Sequence, residues 1–138
     1  MDISDISGNI FAGFPYSDVG YLVRNITGLD LNNKAIRISE IVNEGLEIFF
    51  VKKDLRFSKD DLINTLNNLK FDIGDNNIKG ILYISCLGRK VSFNDEFKEI
   101  EYINDIIGNN VPIVGYRANG EIYKSHIHGY TAIISAFY

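Results

Sequence analysis

Hydrophobic and polar positions alternate with a short period in the first 45 residues of this 138-residue chain. Two β-favouring runs, residues 20–26 and 35–41, flank a turn-rich stretch at residues 30–33. An apolar run over residues 46–51 (LEIFFV) then has the aromatic and β-branched composition of a buried strand. Similar runs follow further along the chain, and we predict a strand at each: residues 81–86, 112–116 and 130–137.

Helical spacing separates these later runs. Ser58 is a suitable N-cap for a helix that ends at Gly74, and its apolar residues recur at intervals of three or four: Leu62, Leu66, Leu69 and Ile73. Asn94 is the predicted N-cap of a second helix, which ends before Gly108. Its predicted apolar face consists of Phe97, Ile100, Ile103 and Ile107.

The order of these elements predicts the fold class. Between residues 46 and 116 the order is strand, helix, strand, helix, strand, which normally produces three parallel strands joined by right-handed crossovers. The runs at both ends are too closely spaced for helical crossovers, so we expect them to add antiparallel strands. We therefore predict an α/β or α+β fold: a single domain over residues 1–138, with one mixed β-sheet and two principal helices.

Composition and charge exclude several classes of protein. The formal charge is −4, so the chain has no basic field to hold a nucleic acid or an anionic membrane surface. Its apolar runs are far shorter than the roughly 20 residues that cross a bilayer. A single cysteine, Cys86, suits a reducing compartment, and no secretory signal opens the chain. We predict a cytoplasmic protein with no nucleic-acid or membrane partner, no metal and no cofactor.

Polar side chains and glycines follow the second and third predicted parallel strands. Ser85, Gly88 and Arg89 follow the second, and Asn119 and Glu121 follow the third. Ligands of parallel sheets bind beyond the carboxyl ends of the strands, so these loops are the candidate site. Two structural alternatives stay open at this point. Arg89 could pair with a neighbouring acid, and the Asn-Gly dipeptide at residues 119–120 could be a hairpin turn.

Several short motifs carry a family resemblance. The segments Gly80-Ile-Leu-Tyr-Ile-Ser-Cys-Leu-Gly-Arg89, Pro112-Ile-Val-Gly-Tyr116, Gly120-Glu-Ile122 and Tyr130-Thr-Ala-Ile-Ile134 resemble the C-terminal half of the FIST sensory domain, FIST C. Tyr21-Leu-Val-Arg24, Gly28-Leu-Asp30 and Glu44-Gly45 match the earlier part of the same pattern. In one departure, the His-Asn that often precedes the final strand of the family is His128-Gly129 here.

The resemblance implies a sensor rather than an enzyme. FIST domains are thought to be intracellular sensors of small ligands, with amino acids the usual proposed ligands. The implied partners are a small molecule, a FIST N-terminal half and a signalling output domain of a larger protein. Because a half-domain exposes apolar surface, self-association to a homodimer is also expected.

The residues themselves indicate how an amino acid would be held. Arg89 would pair with the ligand carboxylate and Glu121 with its ammonium group. Gly88 would allow a close approach of the backbone, and Tyr116 would supply an apolar wall. The remaining predicted contacts are hydrogen bonds from three polar side chains: Asn119, Ser85 and Thr131.

Two other functions remain open from the sequence. A cysteine-dependent hydrolase would need Cys86 as nucleophile, His126 or His128 as base and Glu121 as orienting group. A haem- or metal-binding sensor would use His126 and His128, which lie on one face if residues 126–128 are extended.

Overall fold

A computed structural model describes residues 10–16, 20–89, 93 and 97–138 of the chain. The chain forms two compact units, Met1–Lys53 and Asp54–Tyr138. Asn94, the predicted N-cap of the second helix, lies outside the described residues.

The first unit contains a four-stranded antiparallel sheet in the order β3-β2-β1-β4. Its strands are β1 (Ile10–Pro15), β2 (Tyr21–Asp30), β3 (Ala35–Ile38) and β4 (Phe49–Lys52). The Asp30 carboxylate accepts hydrogen bonds from the backbone N–H groups of Asn32 and Asn33, which stabilises the turn between β2 and β3. The two early predicted strands and the turn between them are therefore confirmed.

The core of the first unit lies along β1, a strand that the sequence interpretation did not include. Ala12 and Phe14 of β1 pack with Leu22 of β2, and all three side chains are buried. The ring of Phe49 packs against Gly13, where a Cβ atom would lie 2.5 Å from a ring carbon. Gly13 interrupts the apolar pattern of β1 because the sheet needs that space for the Phe49 ring.

The second unit combines two helices with a mixed sheet. Helix α1 (Leu55–Ile73) leads to β5 (Gly80–Cys86) and a short 3₁₀ turn, Leu87–Arg89. The elements that follow are α2 (Lys98–Ile107), β6 (Ile113–Ala118), β7 (Glu121–Tyr123), β8 (His126–His128) and β9 (Ala132–Phe137). The mixed sheet has the order β6-β5-β9, and β7 pairs with β8 as a separate ribbon. Strand β5 is parallel to β6 and antiparallel to β9.

Both helices pack on one face of the mixed sheet. Leu62 and Leu66 of α1 and Ile103 of α2 join Ile81 and Tyr83 of β5 in a buried cluster. Successive side chains of a strand alternate between faces, so Ile81 and Tyr83 lie on the same side of β5. This packing explains the helical period of the leucines in the sequence.

The start of α1 differs from the prediction. Asp54, rather than Ser58, is the N-cap, and its carboxylate accepts a hydrogen bond of 3.1 Å from the Phe57 backbone N–H. The predicted end is confirmed, because Gly74 follows the last helical residue with φ 62°. Asp54 and Ser58 both have the side-chain chemistry of an N-cap, so composition could not separate them.

The prediction of three parallel strands is wrong for the first strand. Only the last three residues of the apolar run at residues 46–51 belong to β4 (Phe49–Lys52), which pairs antiparallel with β1 and lies at the edge of the first sheet. It is also not a buried strand, because Phe50 is 64% exposed. Only β5 and β6 form the parallel pair, because the unpredicted strand β1 is the partner of β4.

The Asn-Gly dipeptide does not form a hairpin turn. Strand β6 pairs with β5, while β7 pairs with β8, so Asn119 and Gly120 form a bend at which the chain leaves the sheet. Gly120 has φ 108° and supplies the backbone conformation for this bend. A turn signal in sequence does not specify which strands will pair on either side of it.

The fold class agrees with the prediction in its combination of helices and sheets. Over its described residues the chain is α+β, with two principal helices, one mixed sheet and two antiparallel sheets. In the part of the chain that the structure describes, no helix is long and apolar enough to cross a membrane.

Candidate ligand pocket

A pocket of about 420 Å³ lies in the second unit, between the mixed sheet and the start of α2. Its size is within the range of about 300–1,000 Å³ that is usual for small-molecule sites. Among the described residues, most of its lining is apolar or aromatic, and the polar groups are few. The lining residues are Tyr83, Ser85, Phe97, Glu99, Ile100, Ile113, Gly115, Tyr116 and Arg117.

The position of the pocket is determined by the parallel strands β5 and β6. Tyr83 and Ser85 are two positions apart in β5, so their side chains lie on the same face of the sheet. This is the face on which the helices pack. In the register of the sheet, Ser85 lies beside Arg117 of β6, and both are near the carboxyl ends of their strands. Helix α2 connects the two strands, and its first turn lines the same pocket. Because ligands of parallel sheets bind beyond the carboxyl ends of the strands, a binding site is expected at this position.

A buried ionic cluster closes the polar end of the pocket. Glu99 of α2 is fully buried and accepts hydrogen bonds on both carboxylate oxygens. Its Oε1 lies 2.6 Å from Arg89 Nε, and its Oε2 lies 3.1 Å from Ser85 Oγ. Arg117 Nη1 lies 3.4 Å from Oε2 and 3.3 Å from Ser85 Oγ. Glu99 thus connects both strands and the 3₁₀ turn to α2.

Glu99 was not among the residues predicted for the site. It lies one turn before Ile103 on the buried side of α2, which places a carboxylate on the inner face of the helix. A charged residue at such a position is rarely buried without a partner. This spacing was a usable signal, and it indicates that an arginine from elsewhere must reach Glu99.

Arg89 lies behind the pocket wall rather than in it. Its side chain pairs with Glu99, donates from Nη1 to the Tyr130 carbonyl at 3.4 Å, and lies over the Phe93 ring. Burial lowers the pKa of Arg89, but the charge of Glu99, the contact with Tyr83 and the hydrogen bonds that Arg89 donates together outweigh burial and raise it. Arg89 therefore remains charged and bound to Glu99.

Tyr83 completes the floor of the pocket with a buried phenol. Burial and then the charge of Glu99 raise the pKa of Tyr83 above its ordinary value. The phenol is therefore neutral at physiological pH and adds no charge to the cluster.

Glu121 and Thr131 form a second buried contact in this unit. Thr131 Oγ1 donates a hydrogen bond to Glu121 Oε2, while Oε1 has no hydrogen-bond partner among the residues that the structure describes. The residue is only 4% exposed. Burial raises the pKa of the Glu121 carboxyl, although the hydrogen bond from Thr131 and the charge of Arg89 oppose the rise.

The raised pKa of Glu121 predicts a pH dependence of stability. A carboxyl whose pKa is higher in the folded protein favours folding where it is protonated, so its contribution is lost as pH rises through the folded pKa. Glu121→Gln removes this loss. We expect the free energy of unfolding of the variant, relative to wild type, to increase as pH rises from about 4 to 7 in urea denaturation.

Glu101→Gln is the matched control for this measurement, because Glu101 is exposed on α2. Its difference from wild type should change little over the same pH range. A Glu121→Gln difference that stays constant or shrinks with rising pH would contradict the assignment.

Comparison with known proteins now identifies the family. The family model described as the FIST C domain matches residues 4–124. The chain belongs to the FIST C family.

Two relatives are similar over most of this FIST C domain. They are the uncharacterized proteins MT0656 and Rv0628c from two strains of Mycobacterium tuberculosis, each 29% identical over 122 residues. The match covers 85% of this chain but only 31% of each relative, so the chain spans about a third of their length. No solved structure matches the chain significantly.

FIST C is a family of sensory domains in signalling proteins, so this chain is a sensory domain. The structure places two of the seven residues predicted for its site, Ser85 and Tyr116, in the lining of the pocket. Arg89, Glu121 and Thr131 lie in the buried contacts described above. Their assignment to ligand binding stays a prediction.

The other two residues predicted for the site of this FIST C domain are Asn119 and Gly88. Asn119 is exposed and does not line the pocket. Gly88 lies against the ring of Tyr130, and a Cβ atom there would be 2.5 Å from a ring carbon. The close approach that we expected of Gly88 is therefore made by an aromatic ring of the same chain.

The side chains proposed for a cysteine-dependent hydrolase or for a haem or metal site lie in other parts of the second unit. Cys86 is buried, and its Sγ accepts a hydrogen bond from the Gly88 backbone N–H at 3.4 Å. His126 and His128 share a face of the short strand β8, as the extended spacing predicted. Within the described ranges, no three His, Cys, Asp or Glu side chains are grouped so that they could hold a metal ion.

Proposed function

We propose that this FIST C domain is an intracellular sensor that binds an amino acid, or a similar small zwitterion, in the pocket at the start of α2. The pairing of Arg117 and Glu99 at the polar end of an otherwise apolar pocket is the observation that supports it. The side chain of Arg117 is 18% exposed and lines the pocket, so its guanidinium is placed to hold a carboxylate.

The apolar walls give the proposed site room for a side chain. Phe97 and Tyr116 are 68% and 63% exposed, and both line the pocket. Exposed aromatic rings beside a concave site gain free energy when a ligand covers them. An amino acid with an apolar side chain would therefore place its carboxylate against Arg117 and its side chain along these rings.

Isothermal titration with a panel of the common amino acids tests this function, and Arg117→Gln supplies the decisive variant. Since a hydrogen bond to a charged group contributes about 1.5–3 kcal/mol, we expect the affinity to fall by roughly tenfold or more. Arg56→Ala is the matched control, because Arg56 is exposed on α1 and does not line the pocket. Equal affinities of wild type and Arg117→Gln would refute the assignment.

The partners of the sensor are proposed within the same polypeptide. The Mycobacterium tuberculosis relatives extend well beyond the matched region, because this region is 31% of their length. We infer that a FIST N-terminal half and a signalling output domain accompany this domain. Self-association to a homodimer stays a prediction, which sedimentation velocity of the chain tests directly.

A further inference from the structure

The carboxylate of Glu99 is already fully used inside the protein. Arg89 occupies Oε1, whereas Ser85 and Arg117 share Oε2. The residue has 0% exposure, so a ligand in the pocket meets no open face of this carboxylate. Among the described lining residues Glu99 is the only acid. An ammonium group would therefore have to displace existing buried hydrogen bonds, which costs more than it returns.

A carboxylate group of a ligand would meet a different environment from that of an ammonium group. Arg117 lines the pocket, and its side chain is 18% exposed. Three residues of the start of α2 also line it, namely Phe97, Glu99 and Ile100. The start of a helix carries partial positive charge from its backbone N–H groups, which stabilises a nearby anion. Because Arg117 reaches the pocket and Glu99 is fully buried, the pocket favours a carboxylate over an ammonium group.

From this asymmetry we propose that the pocket recognises a carboxylate attached to an apolar tail and does not recognise an α-ammonium group. The ligand class then includes small carboxylic acids that have no amino group, with an aromatic or branched aliphatic tail against Phe97 and Tyr116. The inference rests on the proposed function, because it concerns the chemistry of the same pocket.

Three compounds that share a phenyl tail test the inference: L-phenylalanine, 3-phenylpropionate and phenethylamine. They differ only in whether the carboxylate and the ammonium group are present. By titration calorimetry of the 138-residue chain, 3-phenylpropionate binds at least as tightly as L-phenylalanine, and phenethylamine gives no binding heat. Arg117→Gln weakens both carboxylates by the same factor, tenfold or more, whereas Arg56→Ala leaves both affinities unchanged.

The contrary results separate this inference from the proposed function. L-Phenylalanine binding more than tenfold tighter than 3-phenylpropionate, or any binding of phenethylamine, overturns the inference and leaves the amino-acid sensor standing. Failure of both carboxylates to bind overturns the inference as well. The amino-acid panel then decides the proposed function on its own.

Discussion

Replacing Glu99 with alanine is expected to lower the free energy of unfolding by about 3–5 kcal/mol, which is a large fraction of the stability of a small protein. Glu99 is fully buried and is the shared acceptor of Arg89, Arg117 and Ser85. Without it, Arg89 stays inside the protein with its charge uncompensated, because its side chain is only 10% exposed. Urea denaturation followed by circular dichroism measures the loss.

Two further variants make the Glu99 test specific. Glu101→Ala removes an exposed carboxylate of the same helix and should change stability by less than about 1 kcal/mol. Glu99→Gln keeps the shape but removes the charge, so it should fall between the other two variants. If Glu99→Ala is as stable as Glu101→Ala, the ionic cluster does not hold α2 to the sheet.

Gly115→Ala is the second change for which we expect a large effect. Gly115 lies opposite Tyr83 in the parallel pair of β5 and β6. A Cβ atom at Gly115 would overlap the Tyr83 carbonyl oxygen and lie 2.7 Å from the carbonyl carbon. Because these atoms belong to the backbone of the central strand, they cannot move aside as a flexible side chain would. We expect a loss of about 4 kcal/mol or more, or a failure to fold.

The control for this substitution is Gly129→Ala, in the same unit of the chain. Apart from Gly129 and its two chain neighbours, no described residue has an atom within 4 Å of the position that a Cβ atom would take there. Its substitution should be neutral or stabilise the protein by about 0.4–1 kcal/mol, because alanine restricts the unfolded chain. Comparable melting temperatures for the two variants would show that β5 and β6 do not approach so closely at Gly115.

Glu99→Ala and Gly115→Ala also test different parts of the pocket. Gly115 and Glu99 both line the pocket, but one controls the spacing of the strands and the other the position of α2. Their effects on stability should therefore appear without any ligand present. Arg117→Gln, in contrast, is expected to act mainly on binding, because Glu99 keeps Arg89 and Ser85 as partners.

Local signals in the sequence predicted most of the elements of the second unit. The apolar strand over residues 81–86 and the glycines that end the two helices were read correctly, because each depends on a short stretch of chain. The helix N-caps were less predictable, since Asp54 and Ser58 are equally suitable by composition. Strand β1 was missed because Gly13 interrupts its pattern to accommodate Phe49.

The candidate site shows the same division between local and tertiary information. Ser85 and Tyr116 could be proposed from their position after apolar strands, and both line the pocket. Arg89 was expected to face the ligand, but its pairing with Glu99 depends on two residues ten positions apart that meet only when α2 packs on the sheet. The arginine that lines the pocket, Arg117, is placed there by the parallel pairing of β5 and β6.

By itself the sequence determined the family and the α+β content, since these follow from motif order and local periodicity. Only the tertiary structure decided that β4 pairs with β1, and that Glu99 joins two arginines at the end of the pocket. Strand partners and buried ion pairs are chosen by the whole packed chain, because burying apolar surface and compensating charge are properties of residues distant in sequence.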